Sequence, residues 1–462
     1  MRNRWIRASL AAVAVFLWTG RALAEASPDA GTQVFLPANV LLPNNESLPV
    51  GALGGLEGNA FTARTNDATA PWFNPAGLAR TTSSSASVSA GTFRFVTVKP
   101  EGTESTGSSI ESLPAAVGFV LKAPLAKKNW TFGFSVARTA AWSQETDFQY
   151  IQGTDLRQRT TSSADADFNR TTLALTAGWT KGGMWRFGGG LLVDILNLRS
   201  VQSLTYRRET GTYVETGVAS TRASGSQGTL RLGLGAQADL SEQVKLGVTL
   251  RTPGVCIFPG ATYTADLVYQ NGAASTQASF FDSQTASFRY KLPFEAVVGL
   301  AWVSHSFEIE VDVKGQTGNA AYDGFSSPNS VVFLRDPGDG SRAVITLEPF
   351  PGIPFEARSI LNVSVGGHLN LDARGIWQLH AGFATDESPV GDGDRFFDRI
   401  SLATATIGVS GAWRHIAGSL GVTYQFGTSG ERPVPDLVGG RLAVTKFNVS
   451  NVGILYSVSY VF

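Results

Sequence analysis

The chain has a single cysteine, Cys256, which excludes an intrachain disulfide framework and any metal site built on thiolates. We read Cys256 as a small apolar filler in a strand or loop. Charged residues are scarce, 16% of the sequence against about 25% in an ordinary soluble domain. The formal net charge is zero, so nucleic acid and other polyanions are not expected as partners. Only four histidines occur (His305, His368, His380 and His415), and none lies beside a recognisable nucleophile motif. An enzyme is therefore not expected, nor a metal ion or other cofactor. After the N-terminal stretch there is no run of about 18 apolar residues, so no helix is expected to cross a bilayer.

What is present begins with an export signal. Arg2, Arg4 and Arg7 form a basic region, Ala8 to Trp18 an apolar one, and Ala22-Leu23-Ala24 a small-residue cleavage site, so the processed chain should start near Glu25. Beyond it glycine is abundant, at 51 residues, and Ser, Thr and Asn stand where Lys and Glu are usual. A surface that faces lipid on one side and a polar lumen on the other has this balance.

Alternation of period two runs through the mature sequence, the mark of strands with one apolar face. Leu230, Leu232, Leu234, Ala236, Ala238 and Leu240 fall on one side, opposite Thr229, Arg231, Gly233, Gly235, Gln237 and Asp239. The last segment puts Val452, Ile454, Tyr456, Val458, Tyr460 and Phe462 on one face. Fourteen strands are expected near 84–98, 113–122, 130–149, 164–180, 185–206, 224–240, 243–251, 293–303, 305–315, 357–371, 376–384, 400–413, 416–427 and 452–462. Their connections alternate short and long. The long ones lie near 99–112, 150–163, 207–223, 252–292, 316–356, 385–399 and 428–451, and 252–292 has room for an extra hairpin above the membrane. This parity points to an all-β fold, a transmembrane antiparallel β-barrel of about fourteen strands, because a sheet in hydrocarbon must close so that it has no edge. Trp130, Trp179, Trp185, Trp302, Trp377 and Trp413 lie near strand ends, as an interfacial girdle requires. Glu308, Glu310, Asp312 and Lys314 alternate with Phe307, Ile309, Val311 and Val313 and should face the lumen, either as a polar lining or as a ladder paired with arginines of neighbouring strands.

Ahead of the first strand, about 55 mature residues lack sustained alternation. They hold Gly51 to Phe61, rich in small residues, followed by Asp67-Ala68-Thr69 and Trp72-Phe73-Asn74-Pro75-Ala76-Gly77-Leu78-Ala79. An open fourteen-strand barrel would leak, so this segment suggests a plug. At these residues the chain resembles the FadL/TodX family of outer-membrane transporters for long-chain fatty acids and aromatic hydrocarbons. Leu246 to Pro253, Leu292-Pro293-Phe294-Glu295, and Trp377 to Phe383 followed by Asp386 to Val390 are similar to further motifs of that family. His380 departs from it, standing where arginine is usual, and residues 25–49 precede the usual start of the plug.

The resemblance implies residues 1–24 as signal peptide, 25–80 as N-terminal extension and hatch, and 81–462 as barrel, with Asn74, Pro75 and Ala76 in a structural segment of the hatch. It implies diffusion of a hydrophobic small molecule through the outer membrane of a Gram-negative bacterium. Outer-membrane lipid is expected around such a barrel, the barrel assembly machinery is expected to read its terminal aromatic residue, and a monomer is expected. Leu53, Leu56, Phe61 and Phe73 of the hatch are candidate ligand contacts. The apolar loop 316–356 adds Phe333, Phe350 and Phe355, and Arg335 and Arg342 are candidates to hold a carboxylate. The alternative is a structural or secretion-linked barrel of the same superfamily that acts through a partner protein.

Overall fold

In the computed structural model, the residues described are 40–41, 44, 49–51, 53–100, 107–113, 116–122, 129–152, 158–180, 182–210, 213–271, 275–336, 338, 340–394, 396–429, 432–433 and 444–462. The export signal and its cleavage site lie outside them. Fourteen barrel strands follow one another: β1 (Ser85–Pro100), β2 (Gly107–Leu113 and Ala116–Lys122), β3 (Trp130–Gln152), β4 (Gln158–Thr180), β5 (Trp185–Thr210), β6 (Tyr213–Asp239) and β7 (Val244–Arg251 and Val255–Asn271). The second half is β8 (Ser275–Phe288 and Glu295–Val303), β9 (Phe307–Gln316, Asn319–Ser326 and Ser330–Asp336), β10 (Val344–Pro349, Ile353–Ala357 and Ile360–Asn370), β11 (Trp377–Asp386), β12 (Ile400–Trp413), β13 (Ile416–Ser429) and β14 (Phe447–Val461). Each pairs antiparallel with the next, and β14 pairs with β1 from Ser85 opposite Val461 to Pro100 opposite Phe447. The sheet is closed.

The outward face tells where hydrocarbon would lie. Along β5, Trp185, Phe187, Gly189, Leu191, Val193 and Ile195 point out, and from Asn197 onward the same face carries Arg199, Ser203, Thr205, Arg207 and Glu209. The apolar stretch thus covers about the 9–11 residues a tilted strand needs to cross a bilayer. Leu230, Leu232 and Leu234 on β6 and Ile309, Val311 and Val313 on β9 continue the belt, all exposed. Five of the six tryptophans expected at an interface are exposed, and all six sit beside the short turns, on one rim.

Above the belt the structure corrects the expectation of long loops. Residues 252–292 and 316–356 are mostly strand. The upper segments of β7 and β8 pair from Ala261 opposite Ala286 to Asn271 opposite Ser275, continuing the barrel strands instead of forming a separate hairpin. Ser330–Arg335 of β9 pairs with Val344–Pro349 of β10, so the apolar loop is a protruding hairpin. The strands break where Pro253 and Pro293 remove a ladder donor, and the amide of Gly254 bridges the two breaks to the Leu292 carbonyl at 3.0 Å. Beyond those breaks the faces exchange character. Lys245, Gly247, Thr249 and Arg251 of β7 point inward below, whereas Tyr263 and Ala265 point inward above, with Thr262 and Asp266 outside. The upper barrel is wrapped like a soluble protein, apolar inside.

Residues 49–84 fill the lower lumen. They form helical turns α1 (Leu53–Leu56) and α2 (Ala70–Phe73) and a 3₁₀ turn over Pro75–Arg80, nearly all buried. A belt of inward glycines receives them. A methyl group on Gly188 would collide with Pro75, on Gly235 with Asn74, on Gly247 with Thr62, and on Gly366 or Gly382 with Glu57. The glycine content therefore has a packing reason: backbone must approach backbone closely here.

Candidate functional site

The hatch is anchored by charge. Arg64, 2% exposed in its side chain, pairs with Glu57 of the hatch and with two residues of β9, Glu310 at 2.8 Å and Glu308 at 3.2 Å. Hatch amides complete the carboxylates: Ala63 donates to Glu310 at 2.6 Å, and Phe61 and Thr62 donate to Asp312 at 3.1 and 3.2 Å. The acidic face of β9 does point into the lumen, but Glu308 and Glu310 meet the arginine of the hatch, not those of neighbouring strands. On the other side, Glu57 Oε1 lies 2.9 Å from Nδ1 of His368 on β10 and 2.8 Å from Nδ1 of His380 on β11, which are register partners. Burial alone would raise the Glu57 carboxyl, but its contacts with His368 and His380 and the charge of Arg64 outweigh burial and lower it to about 2. Burial likewise opposes the charge on Arg64, and Glu57, Glu310 and Glu308 together raise it above the ordinary arginine value. Such a group is tolerable in a dry site only with its partners in place.

Asn74 ties the hatch to a second wall. It is fully buried; its Oδ1 accepts from Ala76 N at 3.1 Å, capping the 3₁₀ turn, and Pro75 begins that turn with its φ already fixed. Its Nδ2 reaches the carbonyls of Thr62 at 3.0 Å, Ala236 on β6 at 3.0 Å and Val248 on β7 at 3.3 Å. Ala76, with no exposed surface, sits where a larger side chain has no room. Arg251 of β7 stacks over the Trp72 ring at 4.1 Å and donates to the Trp72 carbonyl at 2.5 Å. Arg251 also meets Glu295 at 2.7 Å, and Glu295 and Asp194 share Arg231 at 3.0 and 2.7 Å. A ladder of buried ion pairs thus rises from the hatch along the lumen wall.

Aromatic rings meet higher in the lumen. Phe168 of β4 touches Tyr290, which follows the upper part of β8, and Phe397 of the β11–β12 connection at centroid distances of 5.8 and 6.5 Å. Phe355 of β10 meets Phe397 at 4.9 Å, Phe396 at 5.6 Å and Phe325 of β9 at 5.8 Å. Phe350 stacks on Phe281 of β8 at 4.3 Å, and Tyr263 of β7 meets both Phe281 and Phe325. All of these rings are buried. Since β4 and β8 are separated by three strands in the wall, the cluster crosses the lumen. The N-terminal segment reaches its edge: Val40–Leu41 pairs in parallel with Phe397–Asp398, and Asn44 Nδ2 donates to the Asp386 and Ile400 carbonyls at 2.5 and 2.9 Å.

The structure distributes the expected ligand contacts over three places. Phe61 and Phe73 stack edge-on at 5.8 Å and pack with Leu53, Val50 and Trp72 against Ala116 and Ala137, forming the hatch's own core. Leu56 packs at Gly408 and Gly421. Phe350 and Phe355 join the aromatic cluster. Phe333 is half-buried on the hairpin, with Arg335 and Arg342 exposed at its tip. Sequence reasoning missed Phe168, Tyr263, Phe281, Phe288, Tyr290, Phe396 and Phe397; the available signal was the inverted alternation of 262–290. A crevice of about 480 Å³, partly open to solvent, separates the hatch at Pro49, Gly55 and Gly58 from Asn362, Ala384 and Thr406 of the wall.

No family model and no curated protein matches the chain by sequence. Among solved structures it is similar to a FadL homologue of Pseudomonas aeruginosa, at 13% identity and TM-score 0.56 over 92% of this chain and 99% of that one. It is similar to the toluene transporter TodX of P. putida at 14% identity and TM-score 0.56, covering 90% and 99%. The toluene transporter TbuX of Ralstonia pickettii matches at 13% identity and TM-score 0.51, again covering 90% and 99%. The fold is therefore that of the FadL/TodX-type barrels, in agreement with the resemblance read from the sequence.

Proposed function

We propose that this protein carries hydrophobic small molecules, long-chain fatty acids or aromatic hydrocarbons by class, across the outer membrane of a Gram-negative bacterium, and that it is not an enzyme. The observation that carries this reading is the aromatic cluster spanning the lumen above an anchored hatch. The likeness to the toluene transporters TodX and TbuX supports it. A ligand must part some of these rings to enter. Separating two or three ring pairs costs about 1–4.5 kcal/mol, at about 0.5–1.5 each. Burying a dozen methylenes returns about 10 kcal/mol, at about 0.8 each. The exchange favours an apolar guest over water, which gains nothing from a ring.

Capture begins at the hairpin tip, where Phe333 offers apolar surface and Arg335 and Arg342 hold a carboxylate when the ligand has one. Phe350 and Phe355 receive the apolar part. Leu53, Leu56, Phe61 and Phe73, with the segment Asn74-Pro75-Ala76, pack the hatch that must shift from the wall for it to leave. A monomer suffices, since one chain closes the barrel, and its Tyr460-Val461-Phe462 end suits recognition by the barrel assembly machinery.

Uptake by cells that express the protein, together with mass spectrometry of molecules retained after purification, tests this. Phe355→Ala should cut laurate and toluene uptake at least tenfold while the barrel stays folded and heat-resistant. Equal uptake by Phe355→Ala and the parent, or a stable protein partner with no retained hydrophobe, would remove the reading.

A further inference from the structure

We propose that Glu57, His368 and His380 form a binding site for a divalent metal ion of the zinc class, which clamps the hatch to the barrel wall. The argument starts from hydrogen-bond polarity. The carbonyl of His305 can only accept, so Asn370 turns its Nδ2 to it at 2.7 Å and leaves Oδ1 as an acceptor. Gln378 Nε2 donates to that Oδ1 at 3.1 Å, which makes Gln378 Oε1 an acceptor for the Ser410 hydroxyl at 3.3 Å. With its one proton so committed, Ser410 Oγ accepts from His380 Nε2 at 2.8 Å. A neutral imidazole has one N–H, here on Nε2. With Nε2 so committed, Nδ1 can meet Glu57 Oε1 at 2.8 Å only through a cation, either a second proton on the ring or a metal ion bound in its place.

His368 Nδ1 converges on the same oxygen at 2.9 Å, and the three candidate ligand atoms lie within 4.8 Å of one another. All three groups are buried or nearly so, with side-chain exposures of 0% for Glu57 and His380 and 8% for His368. Charge asks for the same thing, since Glu57 and Glu310, neither with exposed side-chain surface, are both paired with the one guanidinium of Arg64. A single proton on His380 would fill its contact as well, with His368 donating its own Nδ1–H as a neutral ring, so protonation is the state that metal binding must displace. One divalent ion supplies the charge at one point and satisfies both Nδ1 atoms.

The donor set fixes the class of ion. Two imidazole nitrogens and a carboxylate suit zinc, whereas calcium and magnesium prefer oxygen alone. Three protein ligands leave a fourth position open. The outer contacts are those such sites use: Ser410 orients His380, and Arg64 holds the other oxygen of Glu57. Because Glu57 belongs to the hatch and both histidines to the wall, the ion joins the two parts. The inference does not depend on what the barrel transports.

The full chain, purified in detergent, stripped with chelator and dialysed, is titrated with zinc, and cobalt(II) serves as a spectroscopic probe. One equivalent per chain is expected, with a cobalt absorption band, and zinc should slow amide exchange in residues 53–66. H368Q and H380Q should each weaken binding by more than about 100-fold, and Ser410→Ala, an outer contact, by about 10- to 100-fold. Each variant is first checked for a heat-resistant barrel, so loss of binding is separated from loss of fold. Failure of the folded parent to bind a stoichiometric ion overturns the proposal. So does binding that survives in the H368Q/H380Q double variant, or nitrogen NMR showing His380 still doubly protonated with zinc present.

Discussion

Arg64 decides whether the hatch can stay where it is. Its guanidinium bonds Glu57, Glu308 and Glu310 and reaches the Ala60 carbonyl at 3.1 Å, so its removal strands two carboxylates, Glu57 and Glu310, in a dry site. Breaking a buried pair in this way costs about 3–5 kcal/mol. We expect Arg64→Ala to speed amide exchange of residues 53–80 by at least a hundredfold with barrel strands unchanged, and Arg64→Lys to restore little, because a point charge does not reproduce the fork. Uniform exchange in hatch and barrel would mean that the anchor is not local. Asn74→Ala should act more mildly, since it leaves the buried Thr62, Ala236 and Val248 carbonyls without this donor, at about 1–3 kcal/mol for an unmet group. A thermal melt of the hatch, followed by Trp72 fluorescence, measures it. The sequence placed Glu308 and Glu310 on the inner face correctly from alternation alone. Their partner was hidden, because Arg64 lies 244 residues from Glu308 along the chain and nothing local links them.

At the scale of elements, strand order and number were legible because the bilayer imposes a simple code, apolar out and polar in. The code fails above the membrane. There Tyr263, Phe281 and Phe288 face inward and Thr262, Asp266 and Asp282 face water, so the same alternation with reversed sense reads as loop. Residues 316–356 misled for that reason: Phe325, Val331, Phe350 and Phe355 are buried, whereas Val344, Ile345 and Leu347 of the same stretch are exposed on a strand. The glycines were legible as a count and not as a belt, since which of them face the hatch depends on the closed sheet. Gly366 tests the belt. Its methyl variant would collide with the Glu57 backbone, whereas Gly315 on the preceding strand has only the far end of Leu361 near, at 3.9 Å. Gly366→Ala should therefore destabilise the docked hatch by about 1–3 kcal/mol, the cost of overpacking, and Gly315→Ala hardly at all. Equal hatch stability in the two variants would show that close backbone approach is not what holds it.

For the whole molecule, closure and sealing are separate jobs done by separate parts of one chain. The wall needs no hatch to complete its hydrogen bonds, because β14 returns to β1. The hatch, in contrast, owes its place to the wall, through Glu310, Asp312, His380 and the carbonyls of β6 and β7. A barrel lacking residues 25–80 should then still fold. The carboxylates of β9 would lose Arg64, but the same deletion admits water to the lower lumen, and hydrated carboxylates need no buried partner. Lumen width grows with strand number, so fourteen strands without a plug leave an aqueous path past the lower ion pairs. Above that path the aromatic cluster still narrows the mouth, with Phe396 and Phe397 no longer braced by Val40–Leu41. In a planar bilayer the deleted form should conduct ions steadily and the full chain should not. Adding Phe355→Ala to the deletion should raise conductance further, because Phe355 holds the rings that remain. Equal, low conductance in the full and deleted chains would move the seal from the hatch to the aromatic layer above it.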